Sequence, residues 1–319
     1  MENSKQSKYK AMALSMIATA LLVVAITGFS VDILGEYGIV LFTMTPFMLG
    51  LLSVVIYGSS GKRTRKESVG VAFQTMAMAC GLLIMVKIEG IVCVIMASPF
   101  VGVLVWLGAL VGHKIQIGSR NTSFRLFSTS LLAIPLLMVA ESAFIESESG
   151  MIEVKTSIII QGSQEDVWRQ VVAFPEIPDP TEWLFKTGIA YPTSSEIIGE
   201  GAGAVRYCKF TTGQFVEPIT IWDEPNHLQF TVEKQPIPLK RMIDEDVPGN
   251  MYKYFVSTKG EFRLKEIAQG RVLLEGTTWY YHRIRPVFYW KIWSKYIIHS
   301  IHSRVLHHIK NTVESLPKQ

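Results

Sequence analysis

The chain has 319 residues, 49% of them hydrophobic and 18% charged, with a formal net charge of +4. Three cysteines (Cys80, Cys93, Cys208) exclude a disulfide framework and have no metal-ligand spacing. The apolar excess is uneven. Residues 1–149 carry most of the long uncharged runs, and the remainder has the composition of an ordinary soluble domain.

In chain order, apolar runs cover residues 11–29, 37–61, 68–86 and 91–111, and a shorter fifth run is centred on Leu126–Ala140 around Pro135. About twenty apolar residues cross the hydrocarbon core of a bilayer, so four spans are expected, and a fifth if the segment extends over about 124–145. The first run, about 19 residues, is too long for the apolar core of a cleavable signal and lacks a small-x-small site. Lysine and arginine number 3, 0, 4, 1 and 3 in the N-terminal arm and the four connections that follow. That alternation predicts a cytoplasmic N-terminus in an inner (plasma) membrane. Five crossings then leave the C-terminal half outside; four leave it in the cytoplasm. Apart from the connection Lys87–Glu89, the first four runs hold no charge, which favours an anchor or lipid-facing platform over a solute pathway.

After a short acidic connection, residues 150–319 read as a second domain. Glu153–Gln161 is a strand, and Ser163 followed by Glu165 and Asp166 opens a short helix. Pro175, Pro178 and Pro180 impose an irregular segment. Strands follow at Glu196–Ile198, Ala204–Phe210, Gln214–Trp222 and Leu228–Glu233. A proline-marked loop carries Asp244, Glu245 and Asp246, and the last strands are Tyr252–Ile267 and Arg271–Tyr281. From Pro286 to about Leu316, Trp290, Trp293, Ile297, Ile301, Val305 and Ile309 recur at steps of three or four, one apolar stripe on a long helix. The fold class expected is therefore an all-α transmembrane bundle of about five helices joined to an α+β unit, an antiparallel sheet wrapped on a C-terminal helix.

The order of these elements, with Thr212–Thr220 (TGQFVEPIT), Gly260–Leu264 (GEFRL) and Gly276–Tyr280 (GTTWY), resembles the START-like (SRPBCC, Bet v 1-type) superfamily. The likeness is greatest to the polyketide cyclase/lipid transport branch in its membrane-tethered bacterial form, and it covers roughly residues 151–316. It implies a helix-grip fold with a deep apolar cavity between sheet and terminal helix. Members bind lipids, sterols or polyketides, and a minority catalyse cyclisation or hydrolysis; no catalytic motif is common to them, so fold alone carries function weakly.

Strand alternation nominates the cavity lining. Arg206, Cys208 and Phe210 share one face; so do Phe215, Glu217, Ile219 and Ile221; so do Glu275, Thr277, Trp279 and Tyr281. Ile297 and Ile301 face them from the helix. Arg206 with Glu217 or Glu275 can hold a polar ligand head, or close the cavity end as a salt bridge; both readings stand at this stage. His299, His302, His307 and His308 lack a carboxylate partner at metal-binding spacing and read as surface residues, so no metal and no cofactor is expected. Phe288, Tyr289, Trp290, Trp293 and Tyr296 beside Arg283, Arg285, Lys291 and Lys295 suit a headgroup interface, a cavity mouth or plain core packing.

No phosphate-binding glycine loop or nucleophile elbow is present, and the aromatics are not organised for nucleic acid. The partners expected are a lipid or other hydrophobic ligand and the bilayer, and a homo-oligomer is left open. Three functions remain: lipid binding for transport or sensing, an enzyme using Glu217 or Glu275 as acid/base, and an assembly module with a filled cavity.

Overall fold

A computed structural model describes residues 2–115, 120–144, 150–238 and 254–316. Asp244, Glu245, Asp246 and Ile145 lie outside the described residues. The chain divides into two compact units, Met1–Ser147 with Ile284–Pro286, and Glu148–Arg283 with Val287–Gln319.

The first unit is helical: α1 (Glu2–Gly28), continued by a π-helical turn Phe29–Leu34, then α2 (Ile39–Gly58), α3 (Arg65–Met85), α4 (Ile91–Ile115) and α5 (Arg120–Phe144). Among the described residues, five helices are long and apolar enough to cross a membrane. The fifth run is a continuous helix through Pro135. Between α2 and α4 the backbones nearly touch: a Cβ on Gly50 would lie 2.1 Å from the Val105 carbonyl oxygen, and one on Gly108 would lie 2.0 Å from that of Phe47. Glycine at both positions is what lets the two backbones approach so closely. Thr64 caps α3 in a reciprocal box with Glu67. Glu141 at the end of α5 accepts the backbone N–H groups of Ile39 and Val40, placing a carboxylate on the positive N-terminus of α2.

The second unit comprises β1 (Ile152–Gln161), α6 (Gln164–Val172), the short α7 (Trp183–Lys186), β2 (Pro192–Ile198), β3 (Val205–Phe210), β4 (Gly213–Asp223), β5 (His227–Thr231), β6 (Phe255–Ala268), β7 (Arg271–His282) and α8 (Val287–Glu314). The strands form one antiparallel sheet in the order β1-β7-β6-β5-β4-β3-β2. Bulges after Ile219, Ser257 and Glu266 bend β4 and β6, as a sheet curling around a helix requires. Ser163 caps α6 by accepting the Asp166 N–H at 3.1 Å. A core of Ile160, Val167, Trp168, Val171, Leu228, Leu274, Leu306 and Ile309 joins sheet, α6 and the C-terminal half of α8. A smaller cluster, Ile152, Val154, Tyr280 and Ile298, joins β1 and β7 to its N-terminal half.

Two face assignments differ from the sequence expectation. On α8 the buried residues are Trp290, Ser294, Ile298, Arg304, Val305, Leu306, Ile309 and Val313. Trp290, Val305 and Ile309 of the expected stripe are buried, but in the middle of the helix Ser294 and Ile298 take the inner places expected of Trp293 and Ile297, where the helix lies against the edge strand β1. On β4 the bulge after Ile219 turns Ile221 outward to 37% exposure. Trp222 instead packs edge-on against Trp168, ring centroids 5.6 Å apart.

Candidate functional site

The concave face of the sheet is assembled strand by strand. Arg206 lies opposite Glu217, and Cys208 opposite Phe215, across the β3–β4 ladder. Arg206, Cys208, Phe210, Phe215 and Glu217 therefore share the inner face, with Phe210 and Phe215 rings 4.8 Å apart. Arg206 Nη1 donates to Glu217 Oε2 at 2.6 Å, and the two side chains are 3% and 7% exposed. The guanidinium lies 5.6, 5.4 and 5.6 Å from the ring centroids of Phe174, Phe230 and Phe262. Gly260 makes room for this packing, since a Cβ there would sit 2.5 Å from the Phe230 ring. Burial holds the Glu217 carboxyl above its ordinary pKa even though Arg206 pulls it down. The pair is thus enclosed by aromatic side chains on the inner face of the sheet.

On β7 the alternation is offset by one from the sequence expectation. Val272 and Leu274 enter the core, Tyr280 packs on Ile298, and Thr278 meets α8. Glu275, Thr277, Trp279 and Tyr281 consequently occupy the outer face. There Glu275 faces Lys155 at 3.6 Å, and Trp279 donates to Glu153 at 3.2 Å while Lys259 lies 4.2 Å over its ring. Glu275 is thereby removed as an interior acid, and Trp279 as a cavity wall. The sequence signal was present: Val272, Leu274 and Gly276 continue the even-numbered face, and Glu275 breaks the odd one.

Sequence reasoning also missed a polar row between β1, β7 and α8. His302 contacts Thr156 Oγ1 through Nδ1 at 3.1 Å and Thr278 Oγ1 through Nε2 at 2.8 Å; His299 Nδ1 reaches Thr156 Oγ1 at 2.8 Å. Burial, aided by the neighbouring His299, lowers the His302 pKa to about 4, so its ring is neutral and bridges the hydroxyls as donor and acceptor. His302 follows Trp290, Ser294 and Ile298 at steps of four, the series that is actually buried. Beyond it Tyr280 OH and Ser294 Oγ are 2.8 Å apart. Among the described residues no group of three or more His, Cys, Asp or Glu is arranged to hold a metal ion.

The opposite flank of α8 carries Arg304, which donates to the carbonyls of Pro192 at 3.1 Å and Pro178 at 2.7 Å and lies 4.9 Å over the Tyr191 ring. It pins the proline-rich segment between α6 and β2 against the helix. Ile297 and Ile301 precede Arg304 on this flank by helical spacing and remain only half-buried. Phe210, Phe215 and Phe262 pack against the core yet are also only partly buried.

No protein-family model matches the chain, and no curated protein matches it. Among solved structures, the protein XoxI from Bacillus cereus is similar at 17% identity and a TM-score of 0.35, over 52% of this chain and 99% of that one. Truncated norcoclaurine synthase from Thalictrum flavum is similar at 12% identity and a TM-score of 0.35, over 54% and 99%. The Zhui aromatase/cyclase from Streptomyces sp. R1128 is similar at 11% identity and a TM-score of 0.34, over 51% and 94%. The strand order and the terminal helix describe the second unit as a curled antiparallel sheet followed by a long C-terminal helix, the architecture expected from the sequence.

Proposed function

We propose that the protein is a membrane-anchored binder of a lipid or other hydrophobic small molecule, held in the open part of the grip. The observation that carries this reading is the set of inner aromatic and aliphatic side chains, Phe210, Phe215, Phe262, Ile297 and Ile301, that line the sheet and α8 while solvent still reaches them. Leaving apolar surface wet in this way costs about 25 cal/mol for each Å² not buried, a cost an apolar ligand would relieve. Five described helices long and apolar enough to cross a membrane support the membrane part of this reading, and the lysine and arginine alternation favours a cytoplasmic N-terminus with the grip outside. In this reading the Arg206–Glu217 pair is structural, and ligand contact falls to the half-buried residues.

The test is photocrosslinking of the full-length protein in native membranes with a diazirine-bearing fatty-acyl lipid, followed by peptide mapping. Crosslinks on the β3–β4 hairpin and on the α8 peptide containing Ile297 and Ile301 are expected, and Ile301→Asp should remove them. Crosslinks confined to α1–α5 would refute the reading.

A further inference from the structure

The N-terminal half of α8 carries a second apolar surface, distinct from the grip. Ile292 is 66% exposed and Tyr296 42% exposed, one helical turn apart, and Phe288 one turn earlier is 69% exposed. Lys291 and Lys295 are exposed beside them. Most of this helix's large apolar residues are buried or half-buried, so an isoleucine left in water beside an exposed tyrosine is informative. From Arg283 to Val313 the chain has six lysines and arginines and no acidic residue. The position within the unit matters as well. Ile298 packs on Ile152 and Val154 at the start of β1, so the turns before it project beyond the strand's beginning, where Met151 is 61% exposed. That is the end at which the chain enters the domain, seven residues after the last residue of α5.

We infer that this face of α8 is an interfacial anchor that lies on the surface of an anionic bilayer, with Ile292 and Tyr296 entering the headgroup layer and Lys291 and Lys295 meeting lipid phosphates. The composition fits that occupant on both counts. An amphipathic aromatic and an isoleucine gain by leaving water, and flanking lysines snorkel toward negative headgroups. A second copy of the chain would face the same lysines with like charge, which disfavours self-association through this surface. The docking surface is separate from the ligand-contacting flank of Ile297 and Ile301, so it stands whether or not the grip holds a ligand.

The experiment uses the full-length protein in nanodiscs, with Cys80, Cys93 and Cys208 replaced by alanine and an environment-sensitive fluorophore at Ile292→Cys. Nanodiscs of phosphatidylcholine alone are compared with discs containing phosphatidylglycerol, each with and without headgroup-region spin-labelled lipid as quencher. The expected result is blue-shifted emission quenched by that lipid, strongest in the anionic discs. A probe at the exposed His307→Cys should stay solvent-like in both, and a urea midpoint of the second unit unchanged from the parent reports that α8 is folded. Lys291→Glu and Lys295→Glu should each lower the docked-to-undocked ratio about fivefold in anionic discs. Solvent-like emission at residue 292 in both compositions overturns the inference. So does a blue shift that the lipid quencher leaves untouched, which would mean burial against protein, and so does quenching indifferent to both phosphatidylglycerol and charge reversal.

Discussion

Removing the Glu217 charge tests whether the buried pair is structural. With Nη1 and Oε2 2.6 Å apart and side chains 3% and 7% exposed, the attraction is on the order of 5 kcal/mol, offset by a desolvation cost of several kcal/mol for each ion. The pair contributes little net stability as a pair, but either partner alone is costly. In Glu217→Gln the guanidinium stays among Phe174, Phe230 and Phe262 with no counter-charge, which should lower the stability of the second unit by about 3–5 kcal/mol. The double variant Arg206→Met/Glu217→Leu should fall within about 1 kcal/mol of the parent, because apolar side chains of similar volume suit that site. Pulse proteolysis of the full-length protein across a urea series reads this directly, since cleavage within the second unit follows its unfolding. A Glu217→Gln variant less than about 1 kcal/mol below the parent, or a double variant as unstable as the single, would refute the closing-pair argument. The same double variant should still crosslink to the acyl probe; loss of crosslinking in a stable double variant would return Arg206 to the ligand.

Two further outcomes follow from the polar row and the helix crossing. His302 has a folded pKa of about 4 against an ordinary 6.5, so the neutral ring is favoured in the native state. Its contribution is complete above pH 6.5 and is lost as the pH falls toward 4, amounting to at most about 3 kcal/mol. Urea midpoints of the second unit at pH 7 and pH 4 should therefore differ more in the parent than in His302→Gln, and equal acid losses would contradict this. In the first unit, Gly108→Val puts a side chain into the Phe47 carbonyl and should destabilise the helical bundle by 1–3 kcal/mol or more, seen as a lower melting temperature in detergent. Gly70→Ala, whose Cβ meets nothing within 4 Å, is the control and should leave it unchanged.

Much of the architecture was legible because it is written in period and length. Apolar runs of about twenty residues became five helices, and alternation bounded by Gly199–Gly203, Thr211–Gly213 and Ala268–Gly270 became seven strands with ends displaced by a few residues. Which face of a strand or helix turns inward was less legible, because one residue reverses a strand and rotates a helix by about 100°. On β3 and the first half of β4 the face was readable, since Cys208, Phe210, Phe215 and Ile219 agree. Past Ile219 the bulge broke the alternation, and no residue type announces it. On β7 both faces look apolar, Trp279 and Tyr281 against Tyr280 and Leu274, because the outer aromatics cover charged neighbours (Lys259 lies on Trp279) rather than core. His302 escaped notice for a related reason. Its environment is made by Thr156 and Thr278, 146 and 24 residues away, and a histidine between two hydroxyls has no local signature.

The rotation of α8 decides how the domain can work. Had the stripe run through Trp293, Ile297 and Ile301, those residues would have been spent on packing and the grip would hold its helix with nothing left for a ligand. With Ile298, Val305, Leu306 and Ile309 taking the core, the helix is held along one side by β1 and α6. Ile297 and Ile301, on its other side, stay half-buried, and Arg304 fixes the proline-rich segment beside them. Stability and the proposed binding thus fall to different flanks of one helix. On the binding proposed above, an apolar ligand would come and go without dismantling the core that holds the domain together.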